Sequence, residues 1–358
     1  MPSKIRVGIV GTGGMAAYHA ESLLKIPGVV LASCHDILPE KSKAFAERFK
    51  IPHVAKDQKS LHEHVDAVSV VTPDRFHAAA SLAALSAGKH LLCEKPLTVT
   101  LAEARKVAAA ALKAKSKNVI SLVNFSYRRS AAMQKAMELV ASGQLGEIRH
   151  VHSFYLQTWL STPVWGAWNE PGWLWRLRTA AGSGGVLGDV GCHILDLTTA
   201  VAGDLDSVNC STSTFPKLLK GKAHTHWKGE VLDANDTAIM QLQFKKGGVG
   251  VLHTTRWATG RVNQLRLEVH GTNGALMFDL DRSYEQLDVC LGKDVQKSAW
   301  KTMKFKPSPN IWERFIAAIR SGKADQPDVA RGAQIQAYLH ACQRSAETHR
   351  WEKIPSVS

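Results

Sequence analysis

Short apolar runs alternate with amphipathic segments through the first 125 residues of the chain. The runs are almost continuously apolar, as expected of strands covered on both faces, and they are Lys4–Val10, Val29–His35, Val65–Val71, Lys89–Cys93 and Val119–Asn124. The segments between them have helical spacing and charged outer positions, and they are Met15–Ile26, Pro39–Phe49, Arg75–Ala87 and Leu101–Lys115. Because each segment is long enough to connect parallel strands, residues 1–125 are predicted to form an α/β domain with a doubly wound sheet.

A different pattern begins after residue 125. A helix is predicted at Ser130–Ala141, and the later strands are longer and alternate apolar with polar residues, which indicates one solvent-facing surface; they are Ile148–Trp159, Ala238–Phe244, Gly250–Trp257 and Leu265–His270. The Asn273-Gly274 step after the last strand favours a tight hairpin turn. Residues 126–358 are therefore predicted to form a C-terminal α+β domain with a large, mainly antiparallel open sheet.

Three further segments complete the prediction for this second domain. Helices are expected at Pro309–Arg320 and Ala330–Thr348, where apolar residues recur at helical spacing. The basic, glycine-containing stretch Lys217–Glu230 lacks such a pattern and is expected to be a surface excursion.

The composition narrows the class of protein. With 358 residues, 45% of them hydrophobic and 21% charged, the chain has the size and balance of a globular protein with about two domains. Six isolated cysteines predict buried thiols rather than a disulfide framework. No apolar run approaches the ~20 residues of a membrane span, and a strand that begins at Lys4 leaves no room for a secretory signal. We therefore expect a cytoplasmic protein without a membrane partner.

The charge is strongly positive but dispersed. Forty-five Lys and Arg residues against 31 Asp and Glu residues give a formal net charge of +14. The basic stretches are interrupted by neutral residues, which is typical of solvated faces, so we do not expect a nucleic-acid partner.

A glycine-rich segment follows the first predicted strand and precedes the first predicted helix. Residues Gly11-Thr12-Gly13-Gly14-Met15-Ala16 read GxGxxA, in which the first glycine permits a tight turn and the second lets a pyrophosphate approach the backbone. The unpaired N–H groups of the helix N-terminus favour the phosphates. This context predicts a dinucleotide site with contacts from Gly11, Thr12, Gly13, Gly14 and Met15.

The second predicted strand ends next to an acidic residue. Asp36 lies ~20 residues beyond the glycine motif, where a carboxylate usually binds the ribose hydroxyls. The adjacent Ile37 offers no positive charge to a 2′-phosphate, so NAD is favoured over NADP as the cofactor. The alternative is that Asp36 only begins a loop or caps the next helix.

Three residues have the chemistry of an alcohol-oxidising site. Lys95 follows a predicted strand, and Asp189 and His193 are four residues apart at the start of a helix candidate. Oxidising a secondary alcohol requires a base and a nearby positive group, and an Asp beside an imidazole fixes the tautomer of the ring. Taken singly, each residue also has a structural interpretation, as a solvated strand end or a helical contact. No metal is expected, because Asp189, Cys192 and His193 lack a second spaced group of ligands.

Three further motifs indicate a resemblance to a known protein family. Together with the glycine segment, Thr72-Pro73-Asp74 with His77, Cys93-Glu94-Lys95-Pro96, and the stretch from Asp189 through His193 to Asp196 resemble the Gfo/Idh/MocA family of glucose-fructose oxidoreductase and inositol dehydrogenase. The resemblance covers almost the whole chain. One departure is Asp74, where the family commonly has Asn.

The resemblance implies a Rossmann domain and an NAD-dependent dehydrogenase that acts on the secondary CH–OH group of a sugar, a sugar derivative or a cyclitol. It implies that His193 takes the hydroxyl proton, that Asp189 orients His193, and that Lys95 steadies the alkoxide or relays the proton. Which of Lys95 and His193 is the base stays open.

Further contacts are implied near the cofactor and the substrate. Thr72, Pro73, His77 and Glu94 are assigned to the cofactor side, although His77 is equally compatible with a helix surface and Glu94 with a structural role before Pro96. Five of the ten tryptophans lie between Trp159 and Trp175, and such aromatic residues suit the apolar faces of a sugar ring. Arg129, Trp175 and Arg176 are the substrate candidates, with packing or a subunit interface as the alternative for the tryptophans.

Two other functions and an assembly remain open on this scaffold. Some family members retain NAD and cleave glycosides by transient oxidation, and another is a ligand-sensing regulator. The family also implies a homodimer or homotetramer formed through the open face of the second domain's sheet.

Overall fold

The computed structural model describes residues 4–357, which divide into two compact units. The first unit contains the chain up to Ser126 and also Pro309–Gln336, and the second contains Tyr127–Ser308 and Ala337–Ser356. The chain thus leaves the first unit within one residue of the predicted boundary. The second predicted domain, 126–358, differs from the structure because Pro309–Gln336 belongs to the first unit.

The elements of the described chain are numbered in chain order. The helices are α1 Gly14–Leu24, α2 Pro39–Phe49, α3 Gln58–Glu63, α4 His77–Ser86, α5 Leu101–Lys115, α6 Ala131–Ala141, α7 Pro171–Leu174, α8 Cys192–Ala202, α9 Ile311–Ser321 and α10 Val329–Thr348. Short 3-10 turns occur at Asp74–Phe76, Ser126–Arg129, Trp175–Leu177, Thr179–Ala181 and Gly292–Lys297, and a π-helical turn occurs at Leu187–Gly191.

The first unit contains a six-stranded, all-parallel sheet in the order β3-β2-β1-β4-β5-β6. Its strands are β1 Ile5–Val10, β2 Val29–His35, β3 His53–Val54, β4 Ala67–Val70, β5 His90–Cys93 and β6 Ser121–Val123. The predicted doubly wound sheet is confirmed. The sequence missed β3 and α3, because a two-residue strand and a six-residue helix are too short to produce a readable period.

Helix α9 completes the core of this unit. Its buried face carries Ile311, Trp312, Phe315 and Ile316, which share one hydrophobic cluster with strands and helices of the first 125 residues. The Trp312 ring stands edge-on to the ring of His19, with centroids 5.0 Å apart. Helical periodicity predicted the helix itself but not its partner, because an amphipathic face does not specify which core covers it.

The returning chain also covers the edge of the sheet. The N–H of Val123 in β6 donates to the carbonyl of Pro327 at 2.9 Å, and Leu122 forms an antiparallel bridge with Asp328. Pairing an edge strand in this way removes the exposed N–H and C=O groups that otherwise promote aggregation.

The second unit contains a nine-stranded sheet in the order β18-β17-β16-β15-β7-β14-β13-β8-β19. The strands of the unit are β7 Ile148–Gln157, β8 Leu205–Ser213, β9 Lys217–Leu219, β10 Lys222–His224, β11 His226–Trp227, β12 Glu230–Val231, β13 Thr237–Phe244, β14 Val249–Thr255, β15 Asn263–Gly271, β16 Gly274–Asp279, β17 Gln286–Leu291, β18 Lys301–Lys304 and β19 Glu352–Lys353. Pairing is antiparallel except between β7 and β14, so the mainly antiparallel sheet is confirmed. Thr272 and Asn273 form the predicted hairpin turn between β15 and β16.

The predicted surface excursion is only partly confirmed. The segment 217–230 forms parts of two small hairpins, β9–β10 and β11–β12, with Leu218 exposed. Lys217, however, is completely buried. A lysine in a basic segment usually lies in solvent, and only the tertiary structure provides this one with an interior carboxylate.

Two other sequence-based expectations concern thiols and membranes. All six cysteines are buried and none forms a disulfide, as predicted. Within residues 4–357, none of the helices has both the length and the apolar character that crossing a membrane requires.

We predict that Trp312→Ala destabilises the protein by about 3–5 kcal/mol, because it removes a large side chain from the core of the first unit. Urea unfolding monitored by circular dichroism measures the change. Trp351→Ala is the matched control, since Trp351 is 44% exposed. Equal unfolding midpoints for the two variants would show that α9 does not contribute to this core.

Candidate functional site

The glycine segment forms a backbone cradle between β1 and α1. Gly11 has φ +88°, and a Cβ on it would lie 2.7 Å from the carbonyl oxygen of Val71, so only glycine fits. Gly13 is the N-cap of α1 and supplies no side-chain cap, and a Cβ on Gly13 or Gly14 would meet nothing within 4 Å. The first-turn N–H groups are therefore not capped by a side chain, as binding of a pyrophosphate requires.

Asp36 is tied to this cradle. Its Oδ2 accepts hydrogen bonds from the backbone N–H and the hydroxyl of Thr12 at 2.8 and 2.9 Å, and its Oδ1 accepts the N–H of Leu38 at 3.1 Å. Burial raises the pKa of Asp36, but these hydrogen bonds lower it more, so the net pKa is below the ordinary value. The charged carboxylate both shapes the loop and remains next to the exposed Ile37, where a ribose is expected.

His77 connects the segments that follow β4 and β5. The residue is 1% exposed, and its ring nitrogens lie 2.7 Å from the carbonyl of Pro96 and 2.8 Å from that of Thr72. The helix-surface alternative for His77 is therefore wrong. The hydroxyl of Thr72 is buried without a hydrogen-bond partner among the described residues, which fits a polar ligand beside Thr72 and Pro73.

Glu94 is the centre of a buried polar network. Its Oε1 lies 2.8 Å from Nε2 of His19 and accepts a hydrogen bond from the Asn124 amide at 2.5 Å, and its Oε2 accepts the backbone N–H of Lys95 at 3.1 Å. Burial raises the pKa of Glu94, but the His19 hydrogen bond and charge, the charge of Lys95 and the Asn124 hydrogen bond lower it to about 2. The carboxylate therefore positions the backbone at Lys95 from the protein interior. That geometry favours the structural role for Glu94, and its assigned cofactor contact stays a prediction.

In the second unit, Asp189 and His193 lie on either side of a change in helix type. Asp189 belongs to the π-helical turn Leu187–Gly191, and His193 lies in the first turn of α8. The predicted helix is confirmed, but its first turn is wider than the assumed α-helix, a feature often found at functional sites.

Asn235 holds the start of this turn. Its backbone carbonyl accepts the N–H of Val186 at 2.8 Å, and its side-chain oxygen accepts that of Leu187 at 3.1 Å. Gly185 has φ +63°, and a Cβ there would lie 2.5 Å from the Asn235 side chain. The glycine thus permits the close approach through which Asn235 positions the turn that carries Asp189.

Two arginines face one oxygen of Asp189. Arg256 Nη2 donates to Asp189 Oδ2 at 2.9 Å, and Arg176 Nε lies 3.7 Å from the same atom. The sequence missed Arg256, which follows β14 and is completely buried. An arginine at the end of a largely apolar strand was the available signal.

The ring of His193 packs edge-on against Tyr127 and Tyr155, with centroids 4.9 and 6.3 Å apart. The two tyrosine hydroxyls are 2.6 Å apart, and both lie within hydrogen-bond distance of the Asn263 amide. Burial raises the pKa of Tyr155, and the neighbouring Tyr127 adds to the rise, so its hydroxyl remains protonated. The sequence missed Tyr155 and Asn263, although Tyr155 and Gln157 are polar residues on the buried side of an alternating strand.

The substrate candidates have different surroundings. The Arg176 guanidinium stacks on Trp173 and Trp175, with its carbon 5.0 and 4.6 Å from the ring centres. Arg129 is exposed and stacks on Tyr284 at 4.5 Å, and the Tyr284 ring stacks on Tyr127. Both arginines therefore belong to groups of rings that adjoin Asp189 or His193.

The tryptophan-rich stretch is partly a packing feature. Trp159 and Trp168 are buried in a small hydrophobic cluster with leucines of the same unit, whereas Trp165 is exposed. The packing alternative is confirmed for the first two residues, and Trp175, which is half-buried, stays a substrate candidate.

Comparison with known proteins identifies the class. Residues 5–125 match the family model described as an oxidoreductase family with an NAD-binding Rossmann fold, and residues 133–277 match the GFO/IDH/MocA C-terminal domain. The chain therefore belongs to the Gfo/Idh/MocA family of NAD-binding oxidoreductases, and the family resemblance is confirmed.

Named relatives align over essentially the full length. Levoglucosan dehydrogenase of Pseudarthrobacter phenanthrenivorans is 29% identical, and myo-inositol 2-dehydrogenase of Thermotoga maritima is 30% identical, each alignment covering 99% of both chains. A solved structure of levoglucosan dehydrogenase in complex with NADH and levoglucosan is 28% identical with a TM-score of 0.84, covering 99% of this chain and 100% of that one. The chain is thus similar to sugar and cyclitol dehydrogenases throughout.

We predict that Glu94→Gln lowers stability at pH 7 by about 3 kcal/mol, since the pKa of Glu94 falls from 4.5 to about 2 on folding. A carboxylate with a lowered pKa stabilises the fold above its unfolded pKa, and that contribution disappears as the pH falls toward 2. The stability difference between wild type and variant should therefore narrow between about pH 5 and 2. Urea unfolding across this range measures it.

Glu21→Gln is the control for this experiment, because Glu21 forms an exposed pair with Arg48. Its stability difference from wild type should be small at every pH. A Glu94→Gln difference that stays constant with pH would contradict the buried-carboxylate assignment.

Proposed function

We propose that the protein oxidises a secondary hydroxyl of a sugar, sugar derivative or cyclitol with NAD, or catalyses the reverse reduction. The observation that carries the proposal is the arrangement in the second unit, where the imidazole of His193 packs between two tyrosines and the carboxylate of Asp189 is held by arginine. A base held in such surroundings suits removal of a hydroxyl proton. NAD, when bound, supplies the acceptor for the hydride.

The proposed roles divide between binding and proton transfer. Asp189 orients His193 and stabilises its charged form, while His193 takes the proton from the hydroxyl. The Lys95 ammonium stabilises the developing alkoxide or relays the proton. Lys95 and His193 are the two candidates for the base, and the backbone of Lys95 is held by the interior carboxylate of Glu94.

The first unit provides the proposed cofactor contacts. The backbone from Gly11 to Met15 binds the pyrophosphate, and the charged Asp36 binds the ribose and disfavours a 2′-phosphate. Thr72, Pro73 and His77 follow β4 and line the continuation of this site. Together these assignments support a preference for NAD.

The proposed substrate class follows from relatives and from the aromatic groups. The relatives named above act on levoglucosan and myo-inositol, which are compact, neutral polyols. Trp175 offers an apolar ring face, and Arg176 and Arg129 offer hydrogen-bond donors to hydroxyl groups. A sugar or cyclitol of similar size is therefore the proposed substrate.

We also propose a cytoplasmic homodimer or homotetramer. Buried cysteines without disulfides suit a reducing compartment. Ile239, Val249 and Val251 are exposed on neighbouring strands β13 and β14 of the open sheet, and an apolar patch of this kind suits burial against a second copy.

A substrate screen tests the proposed function. Sugars, cyclitols, uronates and glycosides are incubated with NAD or NADP, with the absorbance of reduced cofactor and the products both recorded. A dehydrogenase produces reduced cofactor in proportion to oxidised substrate. An NAD-retaining glycosidase releases a sugar without net NADH, and a sensor binds ligand without turnover, so either outcome would replace the proposal.

We expect Asp36→Ala to weaken NAD binding and to reduce the preference for NAD over NADP by about tenfold, since it removes an anion that binds ribose and repels a 2′-phosphate. Titrations monitored by cofactor fluorescence give both dissociation constants. Asp57→Ala, which removes the N-cap of α3, controls for loss of a structural aspartate in the same unit. An unchanged ratio in Asp36→Ala would remove Asp36 from cofactor selection.

His193→Ala and Lys95→Ala should each lower kcat by about 100-fold or more, with the dissociation constant for NADH little changed, because both act on the substrate's proton and charge. Steady-state kinetics and fluorescence titration separate the two effects. His64→Ala, on an exposed histidine, is the control. Wild-type turnover by His193→Ala would exclude His193 as the base.

A further inference from the structure

The Arg256 guanidinium is held through its two Nη atoms and against a ring, while its buried Nε has no hydrogen-bond partner among the described residues. Besides the 2.9 Å bond to Asp189, its Nη1 donates to the carbonyl of Arg176 at 3.2 Å and its Nη2 to that of Gly185 at 3.1 Å. Its guanidinium carbon lies 5.2 Å from the ring centre of Trp159. A planar cation held by two carbonyls and a ring has a single orientation available to it.

The backbone of Arg256 is equally constrained. Its N–H donates to the carbonyl of Asp236 at 3.0 Å, and its carbonyl accepts the N–H of Leu160 at 3.1 Å. The guanidinium therefore reaches Asp189 from a rigid strand end. A donor held this way fixes the carboxylate it binds, because neither its backbone nor its side chain can follow a movement of Asp189.

A second ion pair, formed by Lys217 and Asp236, lies on the interior side of Arg256. Lys217 and Asp236 are both 0% exposed, and Lys217 Nζ lies 2.5 Å from Asp236 Oδ2. Burial lowers the pKa of Lys217, Asp236 opposes this shift, and the charge of Arg256 adds to it. Burial also lowers the pKa of Arg256, and the carboxylates of Asp189 and Asp236 oppose that shift.

These groups form a chain of alternating charge: Lys217, Asp236, Arg256 and Asp189, with Arg176 as a further cation at the partly exposed end. Each buried cation has a carboxylate next to it, which is the arrangement that offsets the cost of removing charges from water. The chain begins in the β9 segment and ends at a residue of the proposed site.

We propose that Arg256 is a positioning residue for the reaction, which holds Asp189 in the ionised form and in one orientation, and that the Lys217–Asp236 pair supports Arg256 electrostatically from the interior. A carboxylate in this state only accepts hydrogen bonds, from the imidazole or from a substrate hydroxyl, and does not compete for the proton. The inference rests on the proposed role of Asp189 and adds the residues that set its charge.

The pH dependence of kcat/KM tests the proposal. Within the second unit, the charged and titratable groups that face Asp189 include Arg256, Arg176 and Tyr155, and His193 lies four residues further along the same helical segment. Replacing Arg256 by Met removes a cation and should raise the pKa values of both Asp189 and His193. The acid limb of the kcat/KM profile, which is the fall in activity at low pH, should therefore move to higher pH by about one unit. In Asp189→Asn the same replacement should move the limb by less than half as much, because the affected carboxylate is absent.

Arg256→Lys separates charge from geometry. The lysine ammonium keeps the positive charge but loses the fixed geometry of the donors on Nη1 and Nη2. The acid limb should therefore stay near its wild-type position, while kcat/KM falls about tenfold or more. Lys217→Met should shift the limb in the same direction as Arg256→Met but by a smaller amount, because Lys217 is one ion pair further from Asp189.

Arg314→Met is the matched control for loss of an arginine that binds both oxygens of a carboxylate. Arg314 donates to the two oxygens of Asp325 at 2.8 and 2.6 Å in the first unit, so its replacement should lower the melting temperature without moving the acid limb. Melting temperature and NADH affinity establish that each variant is folded. If Arg256→Met does not accumulate as folded protein, Arg256→Lys carries the test, because the positioning role requires its kcat/KM to be lowered.

The outcomes separate this inference from the proposed function. A wild-type protein without turnover on any polyol contradicts the proposed function itself. If the wild type is active and the acid limb moves in Arg256→Met but not in Arg314→Met, the positioning role is supported. A folded, active Arg256→Met variant with an unmoved limb, equal shifts with and without Asp189, or wild-type kcat/KM in Arg256→Lys would overturn the role and leave Arg256 as a structural ion.

Discussion

The need to compensate charge that is removed from water governs the architecture around two of the catalytic candidates of this protein, Lys95 and Asp189. In the first unit, the carboxylate of Glu94 is removed from water and stays ionised only because His19 and Asn124 reach it from other elements. In the second, Asp189 and Asp236 are held by Arg256 and Lys217. Leaving any of these charges alone in the interior would cost several kcal/mol. The side chains that compensate them therefore determine where the neighbouring backbone lies.

Features that depend on neighbouring residues in the chain were predictable from the sequence, whereas features that depend on distant residues were not. Strands β1, β2 and β4 and helices α1 and α2 follow local periodicity, so the doubly wound sheet was readable from the sequence. The partner of α9 was not, because its amphipathic face would pack equally well on either core. Lys217 was assigned to solvent for a related reason: its burial depends on Asp236, which lies nineteen residues further along the chain, directly before β13.

The candidate site divides in the same way. Gly11 through Met15, Asp36, Lys95, Asp189 and His193 could be proposed from the sequence because motifs at strand and helix ends have characteristic spacing. Tyr155 lies in β7, Asn263 begins β15 and Arg256 directly follows β14, and the pairing of β7 with both β14 and β15 brings these segments together. No local spacing encodes that pairing. The π-helical turn at Asp189 was also missed, since it depends on the approach of Asn235 to Gly185.

The return of Pro309–Gln336 to the first unit has a consequence for biosynthesis. A nascent chain that has emerged only as far as Ser126 lacks α9 and the residues that pair with β6, so its sheet keeps one uncovered edge and an incomplete interior. The ribosome must produce Tyr127–Ser308 of the second unit before the missing pieces exist. Domains usually fold in order as they leave the ribosome, but here the second unit also waits for Ala337–Ser356, which includes the strand that pairs with β8. Neither unit can therefore be completed until the last fifty residues of the chain have been made, and the N-terminal portion waits the longest.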